Sequence, residues 1–466
     1  MVKISKTHAI FFLFQLEKPF LTHLFNDLVY LNRDFNIYIS YMNNLHFVKS
    51  FFVIAAGFFL ATSVNAQITD EELAKHPEFT SSNYLVYPEP VNIKYTKVPA
   101  GYKPFYISHY GRHGSRSNWG GSAYEGVISV LEAGKAMGIL TPDGEMVLDG
   151  ARKVLSSWDG MDGRLSQRGT REHAALAKRM YNRYPEVFKG QKNIRAFSST
   201  VQRCIISMNS FTNSLIRQNP KLEIRLDTGE KFMDYLDNEN GWQQKTGRAL
   251  MKSFEYMRTV PDDTLGVLTR LFTDQVAARR IVTSPRHFTD DVFNTAVVAE
   301  DFDIENDIYS VLPFDAVYNR WASNNLFLYL GHCNSVDAGM DRVPMAQSCV
   351  EDIVTKADEA IRTGNYAADL RFGHDYPLMA LVSYLGIEGV GDRLEVDEVC
   401  DNWLGFWNIC MASNLQMIFY KNKAGDVLVK FLYQEQERLL RGLEPFYGPY
   451  YKWETVKANL EGYKRF

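Results

Sequence analysis

Cationic and imidazole side chains are concentrated where strand-like segments give way to a turn or a helix. The stretch YISHYGRHGSRS, residues 106–117, carries two arginines and two histidines just after a run typical of a β-strand. In open α/β sheets, ligands bind outside the carboxyl ends of the strands, where helix N-termini favour anions. The residues placed in this way are Arg112, His113 and Arg116, then Arg203, then His374 and Asp375. We expect them to converge on one pocket that binds a phosphate group.

These residue types match the requirements of phosphoryl transfer, in which catalysis is mostly positioning and electrostatic stabilisation. A guanidinium group binds phosphate oxygens through two hydrogen bonds and keeps its charge. A histidine can take the phosphoryl group covalently and later yield it to water, while an aspartic acid protonates the leaving alcohol. Because arginines neutralise the phosphate in this scheme, we expect no metal and no other cofactor.

Alternating strands and helices are predicted to position these residues. KPFYISHYG, 103–111, is rich in aromatic and β-branched residues and predicts a strand, whereas the apolar spacing of residues 166–188 predicts a helix. NIRAFSST, 193–200, predicts another strand, followed by a helix with Ser199 or Thr200 as its N-cap. This order indicates an α/β fold with a mainly parallel sheet flanked by helices.

A helical cap is predicted to interrupt this core. Residues 231–365 are charged and rich in helix signals, with few strand signals, so the α/β core would comprise residues 67–230 and 366–466. The 466-residue chain is 46% hydrophobic and 23% charged, which is typical of a globular protein with a large core. Its formal net charge of -4 argues against a general nucleic-acid binder. The expected partner is a small-molecule phosphomonoester.

The N-terminus predicts export. Residues 1–66 are interpreted as an upstream segment plus a signal peptide, with Met42 as the true start and cleavage after Ala66. Lys49 precedes an apolar run, 51–61, that is short for a membrane span, so no stable membrane anchor is expected, although an anchor is the alternative. The predicted location is the periplasm or the exterior of the cell.

Export would permit disulfides among the five cysteines, but sequence does not determine their pairing. The local options are Cys400 with Cys410 and Cys333 with Cys349, which would leave Cys204 free. Their spacing matches no zinc motif.

Four segments, in order, resemble the histidine acid phosphatases, the second branch of the histidine phosphatase superfamily. GRHGSRS is similar to the R-H-G-x-R signature, and RFGHDYPLMALVSYLGI to the second signature with its H-D pair. RAFSSTVQRCIISMNSF resembles the segment that carries a further phosphate-binding arginine, and GRLSQRGTREHAALAKRMYNRY the helix that precedes it. The resemblance implies that His113 is the nucleophile and Asp375 the general acid. It also implies that the phosphate is bound by Arg112, Arg116, Arg203 and His374.

The resemblance also implies a substrate class. The H-D pair is typical of phytases and acid phosphatases, whereas MASNLQMIFYKN is similar to the inositol polyphosphate phosphatase group. Asn118 stands where the family often has proline. We therefore expect a secreted phosphomonoesterase acting on inositol polyphosphates, phytate included. A broad acid phosphatase or a sugar-phosphate phosphatase is the alternative, and a non-catalytic phosphoanion-binding protein the opposing class.

Several residues have two interpretations. His109 is compatible with core packing or with a role in the site, and His332 with a helix end or with a substrate contact. The turn with Asp237, Glu239 and Asn240 is interpreted as a helix cap rather than a ligand site. Five cations are candidates for binding additional phosphates of phytate at the rim, or are ordinary solvated surface. They are Arg164, Arg168, Lys231, Lys245 and Arg248.

Overall fold

The central element of the fold is an eight-stranded mixed sheet. The computed structural model describes residues 70–462 except 119, 159, 191, 238–250, 252, 254, 256–263, 306 and 338. The strands are β1 (Lys103–Arg112), β2 (Lys192–Ser198), β3 (Leu222–Thr228), β4 (Tyr366–Gly373), β5 (Asn414–Lys421), β6 (Val427–Tyr433), β7 (Gln436–Arg438) and β8 (Tyr450–Lys452). Their order is β3-β2-β4-β1-β5-β6-β7, and β8 pairs with β6.

The sheet has a parallel half and an antiparallel half. β3, β2, β4 and β1 pair in parallel, whereas β5 pairs antiparallel with β1 and with β6. Arg112 is level with Gly373, and Ser198 with Phe372, so the carboxyl ends of β1, β2 and β4 meet at one edge. The predicted α/β class is confirmed, and this edge is the one that the sequence analysis assigned to the phosphate pocket.

Helices cover both faces of the sheet. The first group is α1 (Asp70–Lys75), α2 (Ser122–Ala136), α3 (Pro142–Trp158), α4 (Gln167–Arg183), α5 (Gln202–Gln218), α6 (Met233–Leu236), α7 (Thr264–Leu271), α8 (Gln275–Ile281) and α9 (Pro285–Asp301). The second group is α10 (Phe314–His332), α11 (Gly339–Arg342), α12 (Gln347–Thr363), α13 (Asp375–Leu385), α14 (Val399–Asn402), α15 (Gly405–Asn408) and α16 (Trp453–Gly462). Short 3₁₀ helices occur at Pro77–Tyr84, Glu230–Phe232, Ile308–Val311 and Val343–Ala346.

Alternating residues of β1 enter two hydrophobic cores. Tyr106 and Tyr110 of β1 pack in one core with α12 and α13, whereas Ile107 packs in the other with α4 and α5. Because both faces of the sheet are covered, β1 and β4 are buried along most of their length.

A separate helical layer has its own core. Apolar residues of α2, α3, α7, α8 and α9 pack together, so residues 122–158, which the sequence analysis placed in the α/β core, contribute to this layer. In contrast, α12 lies inside the predicted cap but packs against the sheet. The division of the chain into an α/β core and a cap with boundaries at 231 and 365 stays a prediction.

The segment that joins α1 to β1 crosses the antiparallel half of the sheet. The Tyr87 hydroxyl donates to Glu435 Oε2 (3.3 Å), and the Tyr95 hydroxyl donates to the Glu435 carbonyl. The Thr96 N–H donates to the Glu437 carboxylate at 3.0 Å. Glu435 is fully buried and also pairs with Arg179 (2.9 Å). These contacts fix the position of the preceding 3₁₀ helix, Pro77–Tyr84.

All five cysteines are free thiols, so neither suggested disulfide is formed. Cys410 and Cys400 contact different groups. Cys410 Sγ lies 3.4 Å from Ser413 Oγ, and Cys400 Sγ faces the Ala322 carbonyl. Among the described residues, no helix is both long and apolar enough to cross a membrane.

Candidate active site

His113 lies directly after β1 and has one ring nitrogen available for chemistry. Its Nδ1 is 2.9 Å from the Gly114 carbonyl oxygen, which can only accept, so Nδ1 carries the proton and Nε2 a lone pair. Burial, together with the charges of Arg203, Arg112 and Arg116, lowers the pKa of His113 well below its usual value. His113 is therefore a neutral imidazole with Nε2 as its nucleophilic atom.

Arg112 is held rigidly by main-chain and side-chain acceptors. Its Nη1 donates to the Asn83 carbonyl and to the Ile409 carbonyl (2.7 Å), and its Nη2 lies 2.9 Å from Asp375 Oδ2. The side chain is fully buried. Two carbonyls fix the plane of the guanidinium, so it is preorganised to bind a phosphate oxygen.

The other two arginines come from the loop after His113 and from α5. Arg116 donates from Nη1 to the Ser117 carbonyl (2.8 Å), and its guanidinium stacks on the Tyr84 ring at 4.7 Å. Arg203 lies in the first turn of α5, with Nη2 placed 3.2 Å from Nδ1 of His374. Both arginines are 5% exposed and thus largely shielded from water, which strengthens their interaction with an anion.

His374 is the N-cap of α13 and is surrounded by polar partners. Its Nε2 lies 3.1 Å from Ser199 Oγ, 3.4 Å from Asp237 Oδ2 and 3.6 Å from Cys204 Sγ. Burial lowers the pKa of His374, but Cys204 and Asp237 outweigh it and raise the pKa to about 9. His374 is thus a cation at neutral pH, and its contact with Arg203 becomes favourable when an anion accepts hydrogen bonds from both.

Asp375 opens α13 with its carboxylate directed at Arg112. Its Oδ2 accepts from Arg112 Nη2 (2.9 Å) and from Asn83 Nδ2 (3.0 Å). Burial raises its pKa, but Arg112, Asn83 and the positive charge of His374 lower it to about 2. Asp375 is therefore ionised in the ligand-free protein and must gain a proton before it can act as an acid.

The structure brings all six predicted site residues together. Their cations are Arg112, Arg116, Arg203 and His374, and the carboxylates in contact with them are Asp375 and Asp237. With the anionic form of Cys204 that raises the pKa of His374, four positive charges face three negative charges among these described side chains, which leaves an excess of cations. A phosphate monoester carries −1.5 to −2 near neutral pH, so this excess favours its binding.

Glycines let the signature loop approach α4 closely. A Cβ on Gly114 would lie 2.6 Å from the Gly169 carbonyl oxygen, and a Cβ on Gly169 would lie 2.3 Å from the Ser115 carbonyl oxygen. Glu172, one turn further along α4, accepts from the Ser115 N–H (2.8 Å) and hydroxyl (2.8 Å). The segment similar to the family helix thus fixes the loop that carries His113.

Sequence reasoning missed several residues of the site. Asn83, Glu172 and Ser199 all contact the loop or the His374-Asp375 pair, yet no local motif marks them. Ser199 is not an N-cap, because α5 begins at Gln202 with Val201 as its cap, and this frees the hydroxyl for His374. Asp237 lies beside His374 rather than serving only as a cap. The other residues of its turn, Glu239 and Asn240, lie outside the described residues.

The two ambiguous histidines have different environments. His109 is buried between the Phe211 and Phe372 rings, and burial lowers its pKa to about 3, so it packs in the core as a neutral group. His332 stacks on Tyr376 with ring centres 4.6 Å apart, beside Asp375. Burial also lowers the pKa of His332 to about 3, against the opposing charge of Asp375.

The proposed rim cations are only partly available. Arg168 donates to Asp303 (3.2 Å), and Lys231 lies 3.5 Å from Asp227. Arg164 is exposed, while Lys245 and Arg248 lie outside the described residues. No group of three or more metal-ligating side chains is found in the described part of the chain.

Comparison with known proteins identifies the family. The family model described as "Histidine phosphatase superfamily (branch 2)" matches residues 111–434, which is more than half of the chain. The chain belongs to this branch of the histidine phosphatase superfamily. Membership confirms the resemblance drawn from the four segments and supports a phosphatase. A search of curated proteins found no match.

Solved structures of the family share this fold. A multiple inositol polyphosphate phosphatase of Bifidobacterium longum, in complex with inositol hexasulfate, aligns with a TM-score of 0.67 at 17% identity, covering 82% of this chain and 97% of that one. The phytase of D. castellii aligns with a TM-score of 0.60 at 12% identity, covering 87% and 88%. At these identities the alignments show the common fold.

Proposed function

We propose that this protein hydrolyses phosphomonoesters through a covalent phosphohistidine on His113. The observation that carries the proposal is the geometry around His113. Its Nδ1 donates to the Gly114 carbonyl, which leaves Nε2 with a lone pair beside the buried cations Arg112, Arg116, Arg203 and His374. A neutral nucleophile surrounded by fixed cations is the arrangement that transfer of a phosphoryl group requires.

The first half-reaction forms the phosphoenzyme. Nε2 of His113 attacks phosphorus, the P–N bond forms, and the bond from phosphorus to the ester oxygen breaks. Arg112, Arg116, Arg203 and His374 stabilise the non-bridging oxygens. Asp375 is ionised in the free protein, so the proton that the leaving oxygen receives from it enters with a substrate monoanion.

The second half-reaction restores the free protein. Asp375, now a carboxylate, accepts a proton from water as the water oxygen attacks phosphorus. The P–N bond breaks and Nε2 regains its lone pair. The inorganic phosphate takes up the Asp375 proton and leaves as the monoanion, so Asp375 is again a carboxylate. No further reactant is needed to balance atoms and charge.

Inositol phosphates are our first choice of substrate class, and sugar phosphates or other phosphomonoesters are the second. The first choice is supported by family membership and by the names of the structural relatives, a multiple inositol polyphosphate phosphatase and a phytase. The second class, sugar phosphates or other phosphomonoesters, is favoured because Arg168 and Lys231 are already paired with carboxylates. Both had been predicted to bind additional phosphates.

We further propose that the protein is exported and that its signal peptide is cleaved after Ala66, on the basis of the sequence pattern alone. N-terminal sequencing of the protein from its native host tests this. A first residue of Gln67 is expected, and a retained N-terminus would contradict it.

Rapid quenching with ³²P-labelled phenyl phosphate tests the covalent mechanism. Label should remain on the protein in base and be lost in acid, because a phosphoramidate hydrolyses in acid. A His113→Ala variant should acquire no label, whereas a His287→Ala variant, which changes an exposed histidine on α9, should label normally. Label that survives acid, or label on the His113→Ala variant, would contradict the proposal.

A further inference from the structure

A cavity of about 500 Å³ opens beside the catalytic pocket. It lies between the 3₁₀ helix Pro77–Tyr84 and helices α9 and α10, and its size is within the range of small-molecule sites. We call it the leaving-group cleft. Its polar lining consists mainly of amides and hydroxyls, including Asn83, Tyr84, Asn118, Asn294, Ser323 and Asn324.

One side chain, Asn83, links the cleft to the proposed general acid. Asn83 lines the cleft and donates from Nδ2 to Asp375 Oδ2 (3.0 Å), while its Oδ1 accepts from Asn324 Nδ2 (3.4 Å). Tyr84, which stacks on Arg116, lines the same cavity. An alcohol protonated by Asp375 therefore leaves into this cleft.

The charge of the cleft contrasts with that of the pocket. Among its described lining residues, the charged side chains are Asp290 and Arg320, and Arg320 Nε donates to Asp290 Oδ1 at 2.6 Å. Among the described lining residues this pair leaves no net charge, whereas the adjoining pocket has an excess of cations. Phosphates bind tightly to uncompensated cations, whereas amides and hydroxyls complement the donors and acceptors of alcohol groups.

Asn294 offers hydrogen bonds that the protein itself does not use. It lies on α9, is half-buried in the cleft wall, and makes no side-chain hydrogen bond within the described residues. An amide provides both a donor and an acceptor, the combination that a hydroxyl group can satisfy on both sides.

Resting on the proposed phosphatase function, we infer that the leaving-group cleft selects a polyol that carries free hydroxyls and few additional phosphates. The substrate class is thus a cyclitol or sugar monophosphate rather than the fully phosphorylated ring of phytate. Asn294 and Asn324 are the residues that determine this specificity, through hydrogen bonds to the hydroxyls of the leaving group.

Steady-state kinetics on three compounds tests the inference. These are phenyl phosphate, whose leaving group has no additional hydroxyl, myo-inositol 1-phosphate and phytate. The inference expects a higher kcat/KM for inositol 1-phosphate than for phytate. Release of phosphate from phenyl phosphate together with a preference for phytate would overturn this inference alone. Absence of release from all three would overturn the proposed function and the inference with it.

Variants of the cleft identify the residues responsible. Asn294→Ala should lower the ratio of kcat/KM on inositol 1-phosphate to that on phenyl phosphate by about three- to tenfold, the worth of one hydrogen bond. Asn365→Ala, at an exposed asparagine before β4, should keep the wild-type ratio. Asn294→Lys adds a cation and should raise kcat/KM on phytate relative to inositol 1-phosphate. Unchanged ratios in both Asn294 variants would overturn the assignment.

Discussion

Two clusters of buried charge lie along the same part of the sheet, yet only one of them is balanced. In the first, the β4 network, Arg195 Nε donates to Asp369 Oδ1 (2.6 Å) and Arg371 Nη2 lies 2.6 Å from Asp352. Its cations are Arg195, Arg371 and Lys356, and its anions are Asp369, Asp352 and Glu359. Three charges of each sign compensate one another.

The second cluster, the candidate phosphate pocket, begins where β4 ends and keeps an excess of positive charge among its described residues. Buried cations without enough counter-charges repel one another and lose hydration, so they lower the stability of the free protein. A phosphate group removes both costs when it binds. The comparison indicates that the balanced network stabilises the fold, whereas the pocket with excess positive charge lowers stability and favours the binding of an anion.

The largest expected effect is the loss of turnover when His113 is removed without a change in the charge of the pocket. His113→Ala should reduce turnover of phenyl phosphate by about four to six orders of magnitude, as removal of a covalent nucleophile does. Because His113 is neutral and belongs to no ion pair, the thermal midpoint should change far less than after a break in the β4 network. Turnover within about tenfold of wild type would contradict the role of His113.

A change in the unbalanced pocket should harm function without harming the fold. Arg203→Met is expected to lower kcat/KM by about 10²–10³, the usual effect of losing one transition-state donor. In phosphate-free buffer its unfolding free energy should equal or exceed that of the wild type, because one buried cation is gone. Inorganic phosphate should raise the thermal midpoint of the wild type more than that of the variant. A marked loss of stability in phosphate-free buffer would contradict the comparison.

A change in the balanced network, in contrast, should lower the stability of the fold. Asp369→Asn removes a carboxylate that pairs with Arg195, which keeps Glu359 as a partner, and weakens the hydrogen bond from the Tyr106 hydroxyl (2.7 Å), so we expect a loss of about 1–3 kcal/mol in unfolding free energy. Asp397→Asn, at an exposed carboxylate, is the matched control. Urea denaturation measures both variants. Equal stability of the two would show that the β4 network contributes little.

The smallest effect concerns pH and tests how the pocket acquires its proton. The pKa of Asp375 is about 2 and the pKa of His113 lies well below its usual value, so both are deprotonated in the free protein at neutral pH. The reactive complex needs one proton, which a substrate monoanion supplies. Above the second pKa of the phosphate, roughly 6, kcat/KM for an alkyl phosphate should therefore fall about tenfold per pH unit. A pH-independent kcat/KM between pH 6 and 8 would contradict this route.

The meeting of the candidate site residues at one edge of the sheet could be predicted from the sequence because strand ends and helix starts are local signals. Arg112-His113, Arg203 and His374-Asp375 each follow a recognisable strand, and a parallel sheet brings such ends to one edge. The partners of these residues could not be found in this way. Asn83 and Asp237 reach the pocket from a 3₁₀ helix and a turn whose positions depend on long-range packing.

The helical layer shows the same limit. Residues 122–158 have ordinary amphipathic patterns that are compatible with packing against a sheet or against other helices. Only the assembled cluster with α7 to α9 decides between them. Ser199 illustrates the limit at a single residue, since a serine before a helix predicts a cap but here contacts His374.

The contacts of Tyr87 and Tyr95 with Glu435 join an early and a late segment of the described chain, and this has a consequence for synthesis. Asn83 touches Asp375 from a segment that is anchored, through Tyr87 and Tyr95, to Glu435. A chain that emerges from the ribosome N-terminus first cannot complete these contacts until residue 435 has been made. All six candidate site residues therefore precede, along the chain, the residue on which the position of Asn83 depends. The pocket is complete only in a chain that includes residue 435.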